Sequence, residues 1–366
     1  MRTISSLLLR LAKAVAGIVS ILTSFVALAA PPDALLDDSH ADVRAVMAVQ
    51  ANVTGPLMRA PEILGTAVGL SEAGDLTLVV YVDRDARGAA RAAGTLPAQF
   101  GGVPVQVEFT DKFRAVIGKP GGGSGVSHTA KQTAPIQLGT SGGWRYDLAN
   151  GYCCGGTLGS LVQINGEPYI LSNYHVLEAD IVSGGNNIVS QTGDYVIQPG
   201  LIDVSCNAGN AQNVATLVKM SALPTFNVDC SIAKVVPGMV SSSILEIGTI
   251  SSQTVAASLQ KAVKKSGRTT GLTRSSISGL NATVSVTYDN ECAGGTAFTK
   301  TFTGQIVISN TRRKFLNSGD SGSLMVEDVT TNPRAVGLLF AGSSTSAIAN
   351  PINDVLAFLG ATMVGN

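Results

Sequence analysis

Three side chains in this sequence have the types and the order that nucleophilic catalysis needs. Ser321 lies in Gly319-Asp320-Ser321-Gly322, where the glycines allow a turn that exposes the hydroxyl and aims backbone N–H groups at a developing oxyanion. His175 follows a short apolar run, so its imidazole is expected where a strand ends. Asp229 opens another apolar, strand-like segment. If the fold brings them together, they provide a nucleophile, a general base and an acid that orients the base.

Two other acids compete with Asp229 for the third role. Asp194 and Asp203 also lie between the histidine and the serine in the sequence. Asp194 follows Thr192-Gly193, which is typical of a turn, and Asp203 lacks the apolar run that follows Asp229. Taken singly, a buried structural histidine or a turn carboxylate is the ordinary explanation of such residues. The joint occurrence in the order His, Asp, Ser favours a catalytic set.

That order, with its surroundings, resembles the chymotrypsin-like (trypsin fold) serine peptidases of the bacterial type. The resemblance covers roughly the last two-thirds of the chain. Residues 154–162 resemble the strand before the histidine strand, 264–271 the Gly/Thr-rich segment of bacterial members, and 336–342 the strand that lines the substrate pocket.

The resemblance implies an all-β double barrel with the active site between the barrels. His175 and Asp229 would come from the first barrel and Ser321 from the second, and the backbone N–H groups of Gly319 and Ser321 would form the oxyanion hole. It also implies a serine endopeptidase that hydrolyses protein or peptide substrates through an acyl-enzyme, without a cofactor.

Two departures from the animal digestive enzymes stand out. No Ile-Val-Gly-Gly-type start precedes the catalytic segment, so Asp320 needs a partner other than a freed N-terminus, and we hypothesise Arg268 or Arg145. Phe315 stands where an acid would mark a preference for basic residues. A pocket for a small or apolar side chain is therefore expected. Its predicted lining residues are Phe315, Phe340, Ala341, Gly342 and Ala349.

Composition excludes several other classes of protein. The 366 residues carry 25 basic and 25 acidic side chains, which leaves no footprint for nucleic acid. Residues 1–30 have the basic flank, apolar core and alanine site of a signal peptide, and no later segment is apolar enough to span a membrane, so secretion is expected. In an exported chain the five cysteines predict one or two disulfides, and their spacing does not fit a metal site.

The pattern along the chain predicts two domains. Residues 33–118 predict a small α+β domain of α-β-β-α-β order, either a pro-region or a permanently attached accessory domain. Residues 119–134 are a Gly/Ser-rich linker, and 135–366 form the β-rich peptidase domain, which ends in a helix over 351–361. His40 and His128 lie in polar stretches and are predicted to be solvated.

Two alternative functions use the same residues. In the first, the fold is a catalytically weak or inactive trypsin-fold protein that binds a partner through its loops. In the second, the same machinery hydrolyses esters, because both reactions pass through a tetrahedral intermediate.

Overall fold

The structure, a computed structural model, describes residues 35–115, 126–149, 152–178, 190–288, 298–311 and 314–366. The predicted signal peptide, residues 119–125 of the predicted linker and Cys292 lie outside the described residues. Residues Leu35–Asn366 form one compact unit. In the described ranges, no helix is both long enough and apolar enough to cross a bilayer.

The N-terminal segment contains the predicted α-β-β-α-β elements and two further short strands. Its elements are α1 (Ala41–Leu57), β1 (Ile63–Leu70), β2 (Leu76–Asp83), α2 (Ala89–Gly94), β3 (Gln99–Phe100), β4 (Val103–Thr110) and β5 (Phe113–Ala115). The imidazole of His40 accepts a hydrogen bond from the Asp42 N–H and caps α1. Val43 and Val46 bury the apolar face of that helix. The second helix is short, with six residues from Ala89 to Gly94.

The first barrel is a ring of antiparallel strands. Its elements are β6 (Ile136–Leu138), β7 (Thr140–Trp144), β8 (Leu148–Ala149), β9 (Tyr152–Cys153), β10 (Gly156–Leu158), β11 (Ser160–Ile164), β12 (Glu167–Ser172), α3 (Tyr174–Leu177), β13 (Tyr195–Gln198), β14 (Gln212–Val218) and β15 (Ser231–Val235). The pairing order is β10-β7-β13-β14-β15-β12-β11. Because β11 continues β10 across Gly159, the ring closes.

The second barrel closes in the same way. After β16 (Val240–Ile244), its strands are β17 (Ala262–Gly267), β18 (Gly271–Tyr288), β19 (Phe298–Ser309), β20 (Leu324–Glu327), β21 (Ala335–Gly342) and β22 (Ser346–Pro351). The helix α4 (Ile352–Leu359) follows, and then β23 (Thr362–Met363), which pairs with β11 of the first barrel. The pairing order β17-β20-β21-β22-β19-β18 returns to β17. The prediction of an all-β double barrel with a C-terminal helix, preceded by a small α+β segment, is confirmed.

The N-terminal segment shares the sheet of the second barrel. Strand β1 pairs with β18 on one side and β2 on the other. Strand β5 lies between the barrel strands β18 and β21: it runs parallel to the first and antiparallel to the second. The segment therefore adds strands to the barrel sheet rather than standing apart from it.

The described cysteines fall into two groups. Cys153 and Cys206 form a disulfide that joins residues 53 positions apart, and Cys154 is also disulfide-bonded. Cys230 is a free, buried thiol. The expected presence of disulfides is thus met, which suits a chain that folds in an oxidising compartment.

Candidate active site

His175 and Asp229 are hydrogen-bonded to each other. Strand β12 ends at Ser172, and the single turn of α3 that follows carries His175. Its Nδ1 lies 2.7 Å from Asp229 Oδ2, and both side chains are buried. Because a carboxylate can only accept there, Nδ1 carries the proton and Nε2 is left as the basic nitrogen.

Further donors fix the Asp229 carboxylate. The backbone N–H groups of Tyr174 and His175 donate to Oδ1 at 2.8 Å and 3.4 Å. The phenol of Tyr288 donates to Oδ2 at 2.8 Å. Together with His175 Nδ1, the carboxylate thus receives four donors, without an ion pair to a described Lys or Arg.

The main chain of Asp229 is also fixed. Its N–H donates to Asn350 Oδ1 at 2.9 Å, and its carbonyl accepts from Asn173 Nδ2 at 2.6 Å. Asn350 belongs to β22 of the second barrel. The acid of the first barrel is therefore attached directly to the second.

Ser321 lies in a turn that only glycine-containing sequence can form. Gly319 and Gly322 have φ values of +93° and +91°, in the left-handed region that favours glycine. A Cβ on Gly322 would lie 2.2 Å from Thr157 O and 2.2 Å from Ser172 Oγ. The turn is therefore packed against the first barrel with no room for a side chain.

Thr157 of β10 holds both sides of this turn. Its N–H donates to Ser321 O at 2.9 Å and its hydroxyl to Gly319 O at 2.9 Å. Gly156 beside it separates the turn from α3: a Cβ there would lie 3.0 Å from Ser321 O and 2.6 Å from a methyl of Val176. The nucleophile turn and the residue after His175 are thus neighbours across the barrel interface.

The hydrogen bond from serine to histidine is not formed in this arrangement. His175 Nε2 is buried and has no hydrogen-bond partner among the described residues. The Ser321 hydroxyl instead donates to the Phe340 carbonyl at 3.3 Å. The imidazole is thus oriented by Asp229, while the hydroxyl lies in a rotamer that faces β21.

The partner hypothesised for Asp320 was wrong. Asp320 is fully buried and pairs with Lys265 Nζ at 3.2 Å, and the backbone N–H groups of Thr269, Thr270 and Asn317 also donate to its carboxylate. Burial lowers the pKa of the Lys265 ammonium, and the charge of Asp320 opposes that shift. The Lys265 side chain of β17 is therefore the counter-ion of the carboxylate beside Ser321.

Both hypothesised arginines are engaged elsewhere. Arg268 binds Asp203 through two nitrogens at 2.7 Å and 2.6 Å. Arg145 donates to Ala208 O and to Asn213 Oδ1. Asp203 is thereby occupied by a bidentate ion pair, which removes it as a rival partner for His175.

The other rival acid and the other histidine have structural contacts. Asp194 Oδ2 accepts from the Trp144 indole at 3.0 Å and the Gln191 N–H at 2.9 Å, as its predicted turn suggests. His128 is buried, contrary to the prediction that it is solvated: Nε2 contacts Glu246 at 2.6 Å and Nδ1 contacts Gly139 O at 2.8 Å. Glu246 lies 118 residues away in the chain, so the polar neighbours of His128 in sequence gave the wrong indication.

The five predicted pocket residues lie close to the turn but inside the protein. Phe315, Phe340, Ala341 and Ala349 have no exposed surface, and Gly342 is buried as well. The Phe340 ring packs on Phe302 with centroids 4.8 Å apart. Strand β5 covers the β21 edge, where Ala341 pairs with Ala115 and Gly342 with Arg114. None of these predicted pocket residues is charged.

Three polar residues of the site had no clear sequence signal. Tyr288 and Asn350 reach Asp229 from the second barrel, and Lys265 reaches Asp320 from β17. Only the repeated Lys264-Lys265 inside an apolar strand pattern hinted at a buried cation. Among the described residues, no group of three or more His, Cys, Asp or Glu side chains could hold a metal ion.

Comparison with known proteins gives limited information. A family model described as the Nal1 C-terminal domain matches residues 206–350. No curated protein matches the chain in a sequence search.

Solved structures of serine proteases resemble the chain weakly. A glutamic acid specific serine protease, described as using a novel histidine triad in substrate binding, has 18% identity and a TM-score of 0.41 over 63% of this chain and 100% of its own. Thermobifida fusca protease A has 20% identity and a TM-score of 0.41 over 63% and 99%. A Cellulomonas bogoriensis chymotrypsin has 20% identity and a TM-score of 0.40 over 63% and 99%. Similarities of this size carry no conclusion about activity, which must be argued from the site.

Proposed function

We propose that this chain is a serine endopeptidase that hydrolyses peptide bonds through an acyl-enzyme. The observation that carries the proposal is the imidazole of His175. Asp229 holds its Nδ1 at 2.7 Å, and Nε2 is buried and lacks a hydrogen-bond partner among the described residues. A buried polar nitrogen without a partner costs free energy, so it needs an explanation, and a role as general base supplies one.

In the proposed reaction, Ser321 rotates about its Cα–Cβ bond, so that Oγ leaves the Phe340 carbonyl and meets His175 Nε2. The hydroxyl proton moves to Nε2 as Oγ bonds to the substrate carbonyl carbon. The backbone N–H groups of Gly319 and Ser321 bind the oxyanion. The imidazolium then protonates the leaving amine as the C–N bond breaks. In the second half, His175 takes a proton from water as the water attacks the acyl-enzyme, and it returns that proton to Ser321 Oγ as the ester bond breaks.

We further propose a preference for a small or apolar side chain before the scissile bond. The support is the uncharged character of the predicted pocket residues Phe315, Phe340, Ala341, Gly342 and Ala349. Cleavage of a peptide library tests this proposal. Enrichment of Arg or Lys before the cut would contradict it, because an uncharged pocket leaves their charges unpaired.

The N-terminal segment is proposed to block the substrate edge of β21. An extended peptide binds an exposed strand edge by adding a strand to it, and β5 already forms antiparallel pairs with Ala341 and Gly342. Displacement or removal of the segment would therefore open the site, which favours a pro-region over a permanent accessory domain. N-terminal sequencing of the secreted, active form tests this proposal, because retention of residues 33–118 would contradict removal. Secretion itself is supported by the disulfide between Cys153 and Cys206.

A fluorophosphonate probe tests the catalytic proposal directly. The secreted protein should be labelled, Ser321→Ala should abolish labelling, and His175→Ala should slow it strongly. Ser285→Ala, a serine of β18 outside the site, is the matched control and should be labelled like the wild type. Absence of labelling after the N-terminal segment is removed from folded protein would favour the partner-binding alternative. Labelling with hydrolysis of esters but not of any peptide would favour the esterase.

A further inference from the structure

The structure places a tyrosine of the second barrel against the acid of the first. Tyr288 is the last residue of β18, and its hydroxyl donates to Asp229 Oδ2 at 2.8 Å. This is the same oxygen that His175 Nδ1 contacts at 2.7 Å. Among the described residues, Tyr288 is the one side-chain hydroxyl that donates to this carboxylate.

The other donors to Asp229 cannot do what this hydroxyl does. The two N–H groups that bind Oδ1 belong to Tyr174 and His175, next to each other in the chain. They bind Oδ1 and do not contact Oδ2. Tyr288 donates to Oδ2 from the second barrel, so the oxygen that faces the imidazole is fixed from two directions.

The tyrosine ring is itself held in place. It stacks on Phe298 with centroids 4.8 Å apart and an interplanar angle of 12°, and it meets the His175 ring edge-on at 5.9 Å. Only 3% of Tyr288 is exposed. Burial and the charge of Asp229 both raise the pKa of the phenol well above its usual range, so the hydroxyl stays protonated and remains a donor.

We propose that Tyr288 is a positioning residue of the catalytic site, which acts through Asp229 to fix the orientation and basicity of His175. The proposal rests on the proposed function, since positioning matters only if His175 serves as a base. It assigns to the second barrel a part in orienting the base as well as in carrying the nucleophile. The hydroxyl shares the negative charge of Oδ2, and this limits how strongly the carboxylate stabilises the imidazolium.

Other ionisable groups near the pair do not supply this contact. Glu178, at the end of the α3 turn, is bound to Met220, Ser221 and Ser231. The pKa of the Cys230 thiol is raised well above its usual range by burial and by the charges of Asp229 and Glu178, so it stays neutral. Tyr174 lies on the same turn as His175, and the Ser321 hydroxyl donates to the Phe340 carbonyl.

The test is Tyr288→Phe, which removes the hydroxyl and keeps the ring. With one donor fewer, Asp229 attracts the imidazolium more strongly, so the acid limb of the kcat/KM profile should move to higher pH. kcat should fall about 10- to 100-fold, as expected for the loss of a hydrogen bond to a charged group, with KM unchanged. The variant must first be shown to fold, by its thermal unfolding.

Two further variants separate the hydroxyl from packing. Phe298→Leu removes the stacked ring and keeps the Tyr288 hydroxyl, so it should lower stability and leave the acid limb in place. Tyr195→Phe makes the same chemical change on β13, at an exposed side chain, and should behave like the wild type. Two results would overturn the proposal. In the first, the acid limb of Tyr288→Phe lies at the same pH as that of the wild type. In the second, Phe298→Leu moves the acid limb as far as Tyr288→Phe does.

A measurement that needs no turnover distinguishes this proposal from the function on which it rests. The chain has three histidines, so the imidazole signals can be assigned by NMR and followed with pH. In Tyr288→Phe, the His175 signal should change protonation at higher pH, while those of His40 and His128 stay in place. If that shift occurs in a protein that no fluorophosphonate labels, the positioning contact stands and the peptidase proposal fails. If the protein is labelled and the His175 signal does not move, the positioning proposal fails alone.

Discussion

Two buried aspartates in this molecule lie on either side of the candidate site and are neutralised in different ways. Asp320, next to the nucleophile, is paired with the Lys265 ammonium at 3.2 Å. Asp229, behind the base, receives two backbone N–H groups, a phenol and the imidazole, without a described Lys or Arg. Neither side chain has any exposed surface.

The difference indicates what each carboxylate is for. A buried charge with a counter-ion is already balanced. Asp320 can therefore hold the turn of residues 317–320 in shape, but a new positive charge on His175 would add little to its stabilisation. Asp229 is balanced only by dipoles, so it gains when His175 becomes cationic. We infer that one aspartate maintains the geometry of the nucleophile turn and the other stabilises a charge that exists only during the reaction.

The largest expected effect is at Asp229, the aspartate without a described Lys or Arg counter-ion. Asp229→Asn keeps the shape but can donate to Nδ1, so the imidazole proton moves to Nε2 and the base is lost. We expect kcat to fall about 10⁴-fold, the scale of such a change in a comparable triad, with a much smaller loss of stability. Steady-state kinetics on a peptide substrate and chemical unfolding of the same samples measure both.

The matched change at the other aspartate should give the opposite balance. Asp320→Asn should lower the free energy of unfolding more than Asp229→Asn does, and it should lower kcat less. If both variants lost activity equally at unchanged stability, the assignment of separate roles to the two carboxylates would be wrong.

The second prediction concerns the fixed cation. Lys265→Met keeps the length of the side chain and leaves Asp320 buried without its counter-ion, which should cost about 3–5 kcal/mol in the free energy of unfolding. Denaturant unfolding measures this loss. Lys234→Met is the matched control, because the Lys234 and Glu167 side chains form their ion pair largely in solvent, and little change is expected.

A double variant checks the cause. Lys265→Met combined with Asp320→Asn removes both charges and should recover part of the loss, because no unpaired ion remains. The contrary result is simple additivity. If the double variant loses the full cost of Asp320→Asn in unfolding free energy on top of the loss in Lys265→Met, the two side chains do not interact.

The two aspartates also show how far sequence reasoning reaches. The chain order and the apolar run after Asp229 led to the acid that contacts His175, because local pattern marks strand ends. The partner of Asp320 was missed because Lys264, Lys265 and Arg268 are equally basic in sequence. All three are buried, and which of them reaches Asp320 depends on strand facing: Lys264 donates to Val329 O, and Lys265 pairs with Asp320.

Contacts between distant parts of the chain were the least predictable. Tyr288 lies 59 residues from Asp229 and His128 lies 118 residues from Glu246, and each pair spans separate elements. Strand type and order come from short-range periodicity, so the barrel strands and the N-terminal α+β order were predictable. Which polar side chains meet between barrels depends on the packing of the whole fold, and periodicity does not encode it.

The third prediction concerns the attachment of Asp229 to the second barrel. Asn350→Ala leaves the buried Asp229 N–H and Gln305 Oε1 without their partner. We expect a loss of about 1–3 kcal/mol of unfolding free energy for each group that stays unsatisfied, with activity reduced through Asp229. Asn350→Asp is the informative companion: its oxygen can still accept from the N–H, but it adds a negative charge beside Asp229. Unchanged unfolding in both variants would show that this link between the barrels is not used.

The smallest effect is expected at a third buried carboxylate, Glu178, which has no ion pair or imidazole contact among the described residues, although the charge of Lys219 acts on it. Burial raises its pKa above the usual value, although the Met220 and Ser221 N–H groups and the Ser231 hydroxyl partly oppose the shift. Because the folded state holds the proton more tightly than the unfolded state, this contribution to stability is fully present below the ordinary glutamate pKa and is lost as pH rises through the raised one. The stability of the wild type relative to Glu178→Gln should therefore be highest in acid and decline towards neutral pH. Unfolding free energies of both proteins, measured across that pH range, test this. If the stability of the wild type relative to Glu178→Gln instead grows with pH, the hydrogen-bond donors outweigh burial. Glu178 would then resemble Asp229, a carboxylate stabilised by its donors, although no described imidazole contacts it.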